Sequence, residues 1–365
     1  MMLLTRLGLK EWPEADARRY LGDVDRVYLT YACDELLRRQ SASGGSVSAL
    51  LIHLLETGQV DGALVLTLEV EGGRVRPKFV IARDRQQVMS AQGSKYVTVH
   101  FAAHAMPLIR AFEGRLAVVA LPCDAKLLHR ARQRETELNE KIRLVITLVC
   151  GHNSEPELTD AVVRKIGGDH GPLKCYHYRS GHWRGQLTAA FSDGTVIRKP
   201  FNTFSVYRNL YFFTQRKCHH CHDHFGYYCD ISAGDIWSLK MKHDPIKHTA
   251  LLARTAAGIR AIEAAVAEQA LAARPGTERE ILDGQSRTAP FHYNVTVRKR
   301  VGKVFGDRFK DPVHARVRLP EYLVALMALG NQKLSRTKLG RKLILATPKP
   351  ILKAYLYFFK ILELI

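Results

Sequence analysis

Two continuous runs of apolar residues predict neighbouring buried strands near the middle of the chain. They are Arg115–Leu121 and Arg143–Val149, and a charged stretch with helical character separates them. Such runs are typical of parallel strands that are buried on both faces. A right-handed crossover would place both carboxyl ends at one sheet edge, where open α/β sheets bind ligands. We therefore expect Cys123 and Cys150, which follow the two runs, to lie close together. Each cysteine alone is more simply explained as a buried, unreactive thiol.

The rest of the pattern predicts an α/β protein with a mixed or mainly parallel sheet and a mostly helical C-terminal region. Alternating residues on both sides of Ser192–Asp193–Gly194 indicate a β-hairpin. After Trp237 the pattern is mainly helical, apart from a strand over 250–254, and a helix is predicted over 256–273. Further strands are predicted over 26–32, 59–70 and 74–81.

Three segments follow from this pattern. Residues 1–110 form an α/β part with a Ser/Gly-rich loop, and residues 111–245 form an α/β part that carries the cysteines. Residues 246–365 form a helical region that ends in a basic, amphipathic tail.

Two loops have the composition of phosphate-binding loops. Ser43, Gly44, Gly45 and Ser46 open a helix with apolar positions at helical spacing, so backbone N–H groups and hydroxyls could bind an anion there. The alternative is an ordinary serine N-cap. The second loop carries a hydroxyl, a cation and an aromatic ring. This composition suits binding of a phosphate or a flavin ring. The alternative is a loop with one solvated lysine. Its residues are Ser94, Lys95 and Tyr96.

A pair of cysteines at CxxC spacing, Cys218 and Cys221, can place both sulfurs on one metal ion or cluster without long-range closure of the chain. With Cys123 and Cys150 it gives four thiolates, which suit tetrahedral zinc or a [4Fe–4S] cluster. The spacing does not decide between these two. Zinc remains an alternative to the cluster because imidazole also binds it, and histidines stand at 219, 220, 222 and 224.

Charge and cysteine content narrow the class of protein. The 55 lysines and arginines against 35 acidic residues give a net charge of +20, which favours acidic partners, but no nucleic-acid-binding motif is present. An odd number of cysteines and the lack of a signal peptide predict a reducing cytoplasm. The basic tail ends in ILKAYLYFFKILELI, which is too short to span a bilayer. It could lie at a membrane interface, peripheral to the inner membrane, or pack on the protein or in a homo-oligomer interface.

The chain resembles the coenzyme F420 hydrogenase/dehydrogenase beta-subunit family of flavin and iron–sulfur reductases. The matching pieces run in family order from about residue 26 to 240, and they include SASGGSVSALLIHLLETGQVDGALVL, GSKYVTVH, ALPCDAKLLHRARQ, LVCGHN, YRSGHWRG and RKCHHCHDHFGYYCDISAGDIWS. Two departures concern the cysteines. Ala120 and Leu121 precede Pro122 where the family commonly has Gly-Thr, and Cys229 stands where alanine is usual.

The resemblance implies FAD contacts in the two loops and one [4Fe–4S] cluster. The residues carried over to FAD are Ser43, Gly44, Gly45, Ser46, Ser94, Lys95 and Tyr96, and those carried over to the cluster are Cys123, Cys150, Cys218 and Cys221. Cys229 is then a spare buried thiol or an alternative ligand. Residues expected to orient the site are Asp223, Asp230, Gly234 and Asp235. Apart from the resemblance, Arg179, His182 and Arg184 belong to a basic, aromatic loop that could hold an anionic substrate or only decorate a surface.

The implied function is an oxidoreductase that couples two-electron flavin chemistry to one-electron transfer. Its expected partners are a ferredoxin-type carrier or a deazaflavin, together with an organic substrate. No catalytic acid or base follows from the sequence. The alternative is a non-redox accessory protein of cell-surface polysaccharide synthesis that holds a structural zinc ion or no metal.

Overall fold

A computed structural model describes residues 5–7, 12–181, 185–237, 241 and 243–365 of the chain. Its strands are β1 (Arg26–Ala32), β2 (Gly62–Glu71), β3 (Arg74–Ala82), β4 (Leu116–Ala120), β5 (Ile142–Leu148), β6 (Leu173–Ser180), β7 (Gln186–Phe191), β8 (Val196–Pro200), β9 (Ile231–Asp235), β10 (Thr249–Ala253) and β11 (Leu271–Pro275).

The first two thirds of the chain contain helices between and beside the strands. They are α1 (Glu14–Leu21), α2 (Glu35–Gln40), α3 (Ser46–Glu56), α4 (Arg85–Ser90), α5 (Phe101–His104), α6 (Met106–Ala111), α7 (Pro122–Arg132), α8 (Thr136–Lys141), α9 (Pro156–Gly167) and α10 (Asn202–Asn209). The later helices are α11 (Ala256–Ala267), α12 (Glu278–Gln285), α13 (Thr288–Tyr293), α14 (Val295–Gly302), α15 (Leu319–Leu334), α16 (Lys338–Ala346) and α17 (Lys349–Leu364). None of the described helices is long and apolar enough to cross a bilayer.

An eight-stranded mixed sheet in the order β11-β1-β10-β9-β5-β4-β2-β3 forms the centre of the molecule. The four middle strands β9, β5, β4 and β2 are parallel to one another, and the outer pairs are antiparallel. Because successive side chains alternate between faces, each central strand contributes to two cores. Leu64 and Val118 face α5 to α8, whereas Val65 and Ala117 face α3 and α11. The predicted mixed α/β fold is confirmed.

A second, three-stranded antiparallel sheet in the order β6-β7-β8 packs with α9, α10 and the last three helices. The hairpin β7–β8 was expected, but β6 was not. Its register shifts twice, at Leu173/Cys175 and at His177/Ser180, so its side chains do not follow a simple alternation. A strand that contains such irregularities loses the period of two by which a sequence pattern reveals it.

The prediction of a helix through residue 273 is wrong at its end. The helix α11 stops at Ala267, and the chain returns as β11 to pair antiparallel with β1. The sequence there is AEQALAARP, and alanine favours a helix over a strand, so local preference extends the helix. The turn is made at Gln269, which has a positive φ of 57°. Pairing with β1, rather than local preference, therefore decides this element.

Candidate functional site

The carboxyl ends of the parallel strands open into a cleft with a cavity volume of about 310 Å³. Both predicted phosphate-binding loops border it, through Ser43, Gly45 and Ser46 on one side and Ser94, Lys95 and Tyr96 on the other. Cys150 borders the same cleft. The structure thus brings two distant loops and one of the four cysteines to a single cavity.

The first loop is shaped by close packing of its backbone. Gly44 lies between β1 and β10, where an added Cβ would come within 2.8 Å of the carbonyl oxygens of Thr30 and Lys247. Gly45 caps α3 with a φ of 80°, in the left-handed region that favours glycine. The N–H groups of the first turn of α3 have no partner within the helix, so they suit an anion in the cleft.

Two serine hydroxyls of this loop already have protein partners. The Ser43 hydroxyl donates to the His248 carbonyl at 3.0 Å, and Ser46 Oγ accepts from Thr30 Oγ1 at 2.8 Å. These bonds tie the loop to β1 and to the residue before β10. The hydroxyls therefore fix the loop, and its backbone is the part that remains for a ligand.

Lys95 provides a half-buried cation beside the cleft. Its ammonium donates to the carbonyls at the end of α4 and beyond, including Gln92 at 3.0 Å and Gly93 at 3.2 Å. No carboxylate pairs with Lys95 within the described ranges. Burial consequently lowers the pKa of Lys95 to about 7. A phosphate bound here would supply the missing negative charge, so this side of the cleft fits a phosphorylated cofactor such as FAD.

Tyr96 joins the second loop to the smaller sheet. Its ring packs on Phe201 at 5.2 Å between ring centres, and the Arg208 guanidinium lies 4.9 Å from the ring centre. Its hydroxyl accepts from Arg179 at 3.3 Å. The Tyr96 ring thereby presents a fixed aromatic wall to the cleft, as an aromatic cofactor ring requires.

The four candidate ligands come from three separate parts of the chain. Cys123 lies in the first turn of α7, Cys150 lies two residues after β5, and Cys218 and Cys221 belong to a short 3₁₀ segment, Arg216–His220, and the residue after it. Cys150 N–H donates to the His224 carbonyl at 3.0 Å, which attaches the CxxC segment to the end of β5.

The four thiols are electrostatic neighbours. Burial raises the pKa of Cys123, and Asp124, Cys221 and Cys150 raise it further. Burial also raises the pKa of Cys150, and Cys218 and Cys221 raise it further. Burial raises the pKa of Cys221 to about 12. Without a bound metal these groups are neutral thiols, so metal loading would release protons. Within the described residues, no group of three or more Cys, His, Asp or Glu side chains is arranged to hold a single metal ion.

A buried arginine beside the CxxC pair has no carboxylate partner among the described residues. Arg298 is only 1% exposed, and it donates to the carbonyls of Cys221 at 2.7 Å and His292 at 2.8 Å. Burial lowers the pKa of Arg298 to about 10, while Cys221 and Cys218 raise it. A buried guanidinium is costly without a counter-charge. Four thiolates around an iron–sulfur cluster would supply that charge, so the surroundings fit an anionic centre.

Two more cations act on the thiols. Lys217 lies 3.8 Å from Asp124 and, like Arg208, lowers the pKa of Cys218 against the effect of burial. The roles of Arg208 and Arg298 were not expected from the sequence. Arg298 lies 77 residues from Cys221 in a stretch of weak patterning, so no local signal marks it.

The acidic residues after the CxxC pair have structural partners. Asp223 accepts from Gly226 N–H at 2.6 Å and Tyr227 N–H at 2.9 Å, which closes the turn after Cys221. Asp230 accepts from Val145 N–H at 2.8 Å, and an added Cβ at Gly234 would lie 2.6 Å from Val149. These contacts fix the segment against β5.

Arg179 and Cys229 also have partners in the protein. Arg179 donates to Asp235 at 2.7 Å and is 4% exposed, which ties the smaller sheet to the large one. The Cys229 sulfur lies 3.1 Å from Thr147 Oγ1 and from the Gly226 carbonyl, within a core. The other two expected anion contacts, His182 and Arg184, lie outside the described residues.

The fold and the site together define an α/β protein with a cleft at the carboxyl ends of its parallel strands, beside a half-buried group of cysteines. Two family models match the chain, the coenzyme F420 hydrogenase/dehydrogenase beta subunit N-terminal model over residues 27–105 and the C-terminal model over residues 113–279. The chain belongs to the coenzyme F420 hydrogenase/dehydrogenase beta-subunit family.

Individual relatives are distant. The chain is 28% identical over 207 residues to a subunit of the F(420)H(2) dehydrogenase of Methanosarcina mazei, and the match covers 54% of this chain and 52% of the relative. It is 22% identical over 225 residues to the beta subunit of the coenzyme F420 hydrogenase of Methanosarcina barkeri, covering 60% of this chain and 73% of the relative. The match thus spans about half the length of the first relative.

A solved structure shares the fold. One chain of the F420-reducing [NiFe] hydrogenase complex from Methanosarcina barkeri superposes with a TM-score of 0.61 at 20% identity. The superposition covers 80% of this chain and 98% of that chain. At this identity the likeness establishes the architecture.

The packing at Gly44 leads to a first prediction. Replacing Gly44 with alanine should lower the free energy of unfolding by about 1–3 kcal/mol, because the new Cβ overlaps two backbone carbonyls. Thermal or urea unfolding measures this loss. Gly330→Ala is the matched control, since its Cβ would only touch Phe305 at 3.6 Å and alanine favours the helix. An equal effect of both variants would contradict the packing argument.

Proposed function

We propose that the protein is an FAD- and [4Fe–4S]-containing oxidoreductase that couples two-electron flavin chemistry to one-electron transfer. The observation that carries the proposal is the shared cleft, which both phosphate-type loops and Cys150 border. A bound flavin would supply exchange of electron pairs, and a cluster would supply transfer of single electrons. Family membership makes redox chemistry the expected class of reaction.

The surface proposed to bind the flavin is preformed in the protein. The first turn of α3 offers N–H groups to phosphate, and Lys95 offers a cation that lacks a carboxylate partner within the described residues. The hydroxyl bonds of Ser43 and Ser46 hold this surface rigid. Tyr96, fixed by Phe201 and Arg208, lines the wall where an aromatic ring would lie.

On the cluster side, the chain supplies four thiols and three cations. The proposed ligands are Cys123, Cys150, Cys218 and Cys221. Arg298, Arg208 and Lys217 offset the negative charge that four thiolates would bring into a buried site. Asp124 and Asn153 border the cleft. The Cys123 sulfur lies 3.5 Å from Asp124 Oδ1, and Asn153 N–H donates to the Cys218 sulfur at 3.3 Å. These two thiols therefore adjoin the proposed flavin surface.

The electron partner is proposed from chemistry and family together. Relatives named for coenzyme F420 suggest a deazaflavin, and the net charge of +20 also suits an acidic ferredoxin-type carrier. An organic substrate would take or give the electron pair at the cleft. No catalytic acid or base is proposed.

Anaerobic purification followed by absorption spectroscopy and metal analysis tests the proposal. Flavin bands together with a broad thiolate-to-iron band, at about one FAD and four irons per chain, are expected. A colourless protein with one zinc per chain would instead support the accessory role in polysaccharide synthesis and end the redox proposal.

The ligand set predicts which cysteine variants lose iron. Cys221→Ser should abolish the iron content and leave FAD partly bound, because the flavin surface does not include Cys221. Cys175→Ser, at an exposed cysteine outside the set, is the control and should keep its iron. Cys229→Ser should also keep it, since serine can make the same contact with Thr147. Unchanged iron in Cys221→Ser would show that the ligand set is wrong.

Lys95 predicts a pH dependence of FAD binding. Its pKa of about 7 is below the ordinary 10.5, so the cation that a phosphate needs is present at pH 6 and largely lost at pH 8. FAD affinity should therefore fall about tenfold over this range, since apparent affinity scales with the binding-competent fraction. Quenching of flavin fluorescence measures it. Lys95→Gln should bind weakly at both pH values, and Lys78→Gln, at an exposed lysine, should behave as the wild type.

Arg298 predicts a shift of the cluster potential. Arg298→Met removes a buried positive charge and should make reduction harder, by roughly 60 mV for each 1.4 kcal/mol of lost charge stabilisation. Redox titration followed by electron paramagnetic resonance measures the midpoint. Arg300→Met, an exposed position on the same helix, should change it little because water and salt screen that charge. An unshifted midpoint in a folded, iron-loaded Arg298→Met protein would contradict the assigned role.

A further inference from the structure

The last helix, α17, buries one face and leaves the opposite face apolar. Leu352, Leu356, Phe359 and Glu363 point into the protein. At about 100° per residue, the side chains on the far side of the helix are Ala354, Tyr357, Phe358, Ile361 and Ile365. Tyr357 is 62% exposed, Phe358 54% and Ile361 56%. A surface helix normally has polar residues on its solvent-facing side, and the outer face of α17 has apolar residues instead.

Neighbouring helices extend the apolar area. The start of α15 lies beside the end of α17, because Arg318 donates to the Ile365 carbonyl at 2.6 Å. Leu319 and Leu323 are exposed there, and Leu339 and Leu343 are exposed one turn apart on α16. We call the outer face of α17 with these four leucines the C-terminal surface. Exposed apolar side chains of this kind on adjoining helices mark an interaction site.

The same region is strongly basic. Residues 332–365 contain eight lysines and arginines and one acidic residue, Glu363. Glu363 is buried and paired with Arg287, so it neutralises none of the exposed charge. Within the described ranges, no carboxylate pairs with Lys338, Lys342, Lys349 or Lys353.

The position of these lysines is unfavourable for the helices themselves. Lys338 and Lys349 open α16 and α17, whose first turns contain no acidic residue, and the last turns contain no basic residue. A helix dipole favours the opposite arrangement. Helix stability therefore does not account for the placement of the charges, whereas a negatively charged partner outside the molecule would.

We infer that the C-terminal surface docks on an anionic lipid bilayer, with α17 lying in the plane of the interface. Its apolar side chains would enter the boundary between headgroups and acyl chains, and the flanking lysines would contact the phosphates. A second copy of the chain is a poorer occupant. An isologous contact would bring two sets of these lysines together without any exposed acid to offset them.

Flotation of the full-length protein with vesicles tests this inference. Binding to vesicles of phosphatidylcholine with 30% phosphatidylglycerol, about an ordinary anionic content, should be strong at low salt and weaken as salt rises. Binding to pure phosphatidylcholine should be far weaker. The triple variant Lys342→Gln, Lys349→Gln, Lys353→Gln should lose roughly 100-fold in affinity, since each basic residue near such a surface contributes about a factor of five.

Matched variants separate charge from apolar contact. Tyr357→Ser, Phe358→Ser, Ile361→Ser should also lose vesicle binding, although it keeps every lysine. The control Arg76→Gln, Arg134→Gln, Lys174→Gln removes three exposed cations on other elements and should bind as the wild type. Circular dichroism establishes that each variant is folded, so a loss of binding is not a loss of fold.

Three outcomes would overturn the inference. The first is equal binding to neutral and anionic vesicles, and the second is equal loss in the control variant. The third is a dimer by light scattering that becomes monomeric in the serine variant while vesicles bind neither form, because the surface would then join two chains. Vesicle binding is independent of cofactor content, so its failure is distinct from failure of the redox proposal.

Discussion

Parallel pairing of β5 with β4 on one side and β9 on the other is the constraint on which the site depends. It places the ends of β4 and β5 at one edge and so brings α7 and the residues after β5 together. The segment before β9 must then cross that edge, where Cys150 N–H binds the His224 carbonyl at 3.0 Å. Backbone pairing therefore places cysteines from three parts of the chain at this edge of the sheet.

Charge balance is the second constraint, and it separates the two ends of the cleft. At the loop end, the half-buried Lys95 has no carboxylate partner among the described residues, which favours a ligand that arrives with negative charge. At the cysteine end, Arg298 is buried against backbone carbonyls, so the protein bears its desolvation cost before any metal binds. Ordinary folding would favour neutral side chains in both places. A half-buried cation at the cleft and a buried one beside the CxxC pair are more simply explained by two anionic groups than by stability.

Local patterns were sufficient for those parts of the fold and site that local chemistry determines. The apolar runs ending before Cys123 and Cys150 predict two parallel strands, and a glycine-rich turn predicts the helix entry at Ser46. The strand β6 was missed because its register shifts twice, and β11 was missed because its alanine-rich sequence favours a helix that pairing with β1 overrides. Arg298 could not be found at all, since its position beside Cys221 depends on how α14 packs against the CxxC segment. Long-range packing leaves no periodic signal in a single sequence.

The C-terminal helix is attached to the site rather than loosely appended. Its Phe359 packs on Tyr211 with ring centres 5.7 Å apart, and Tyr211 stacks on His152 at 4.4 Å, two residues beyond Cys150. The Tyr211 ring also lies 6.0 Å from that of His219, between the two cysteines of the CxxC pair. The buried Glu363–Arg287 ion pair fixes the end of the helix. One aromatic residue therefore joins the inner face of α17 to both halves of the cysteine site, so the outer face keeps a defined orientation to the cleft. A surface that binds a partner through α17 would hold the opening of the cleft at a set angle to that partner, without any change of conformation.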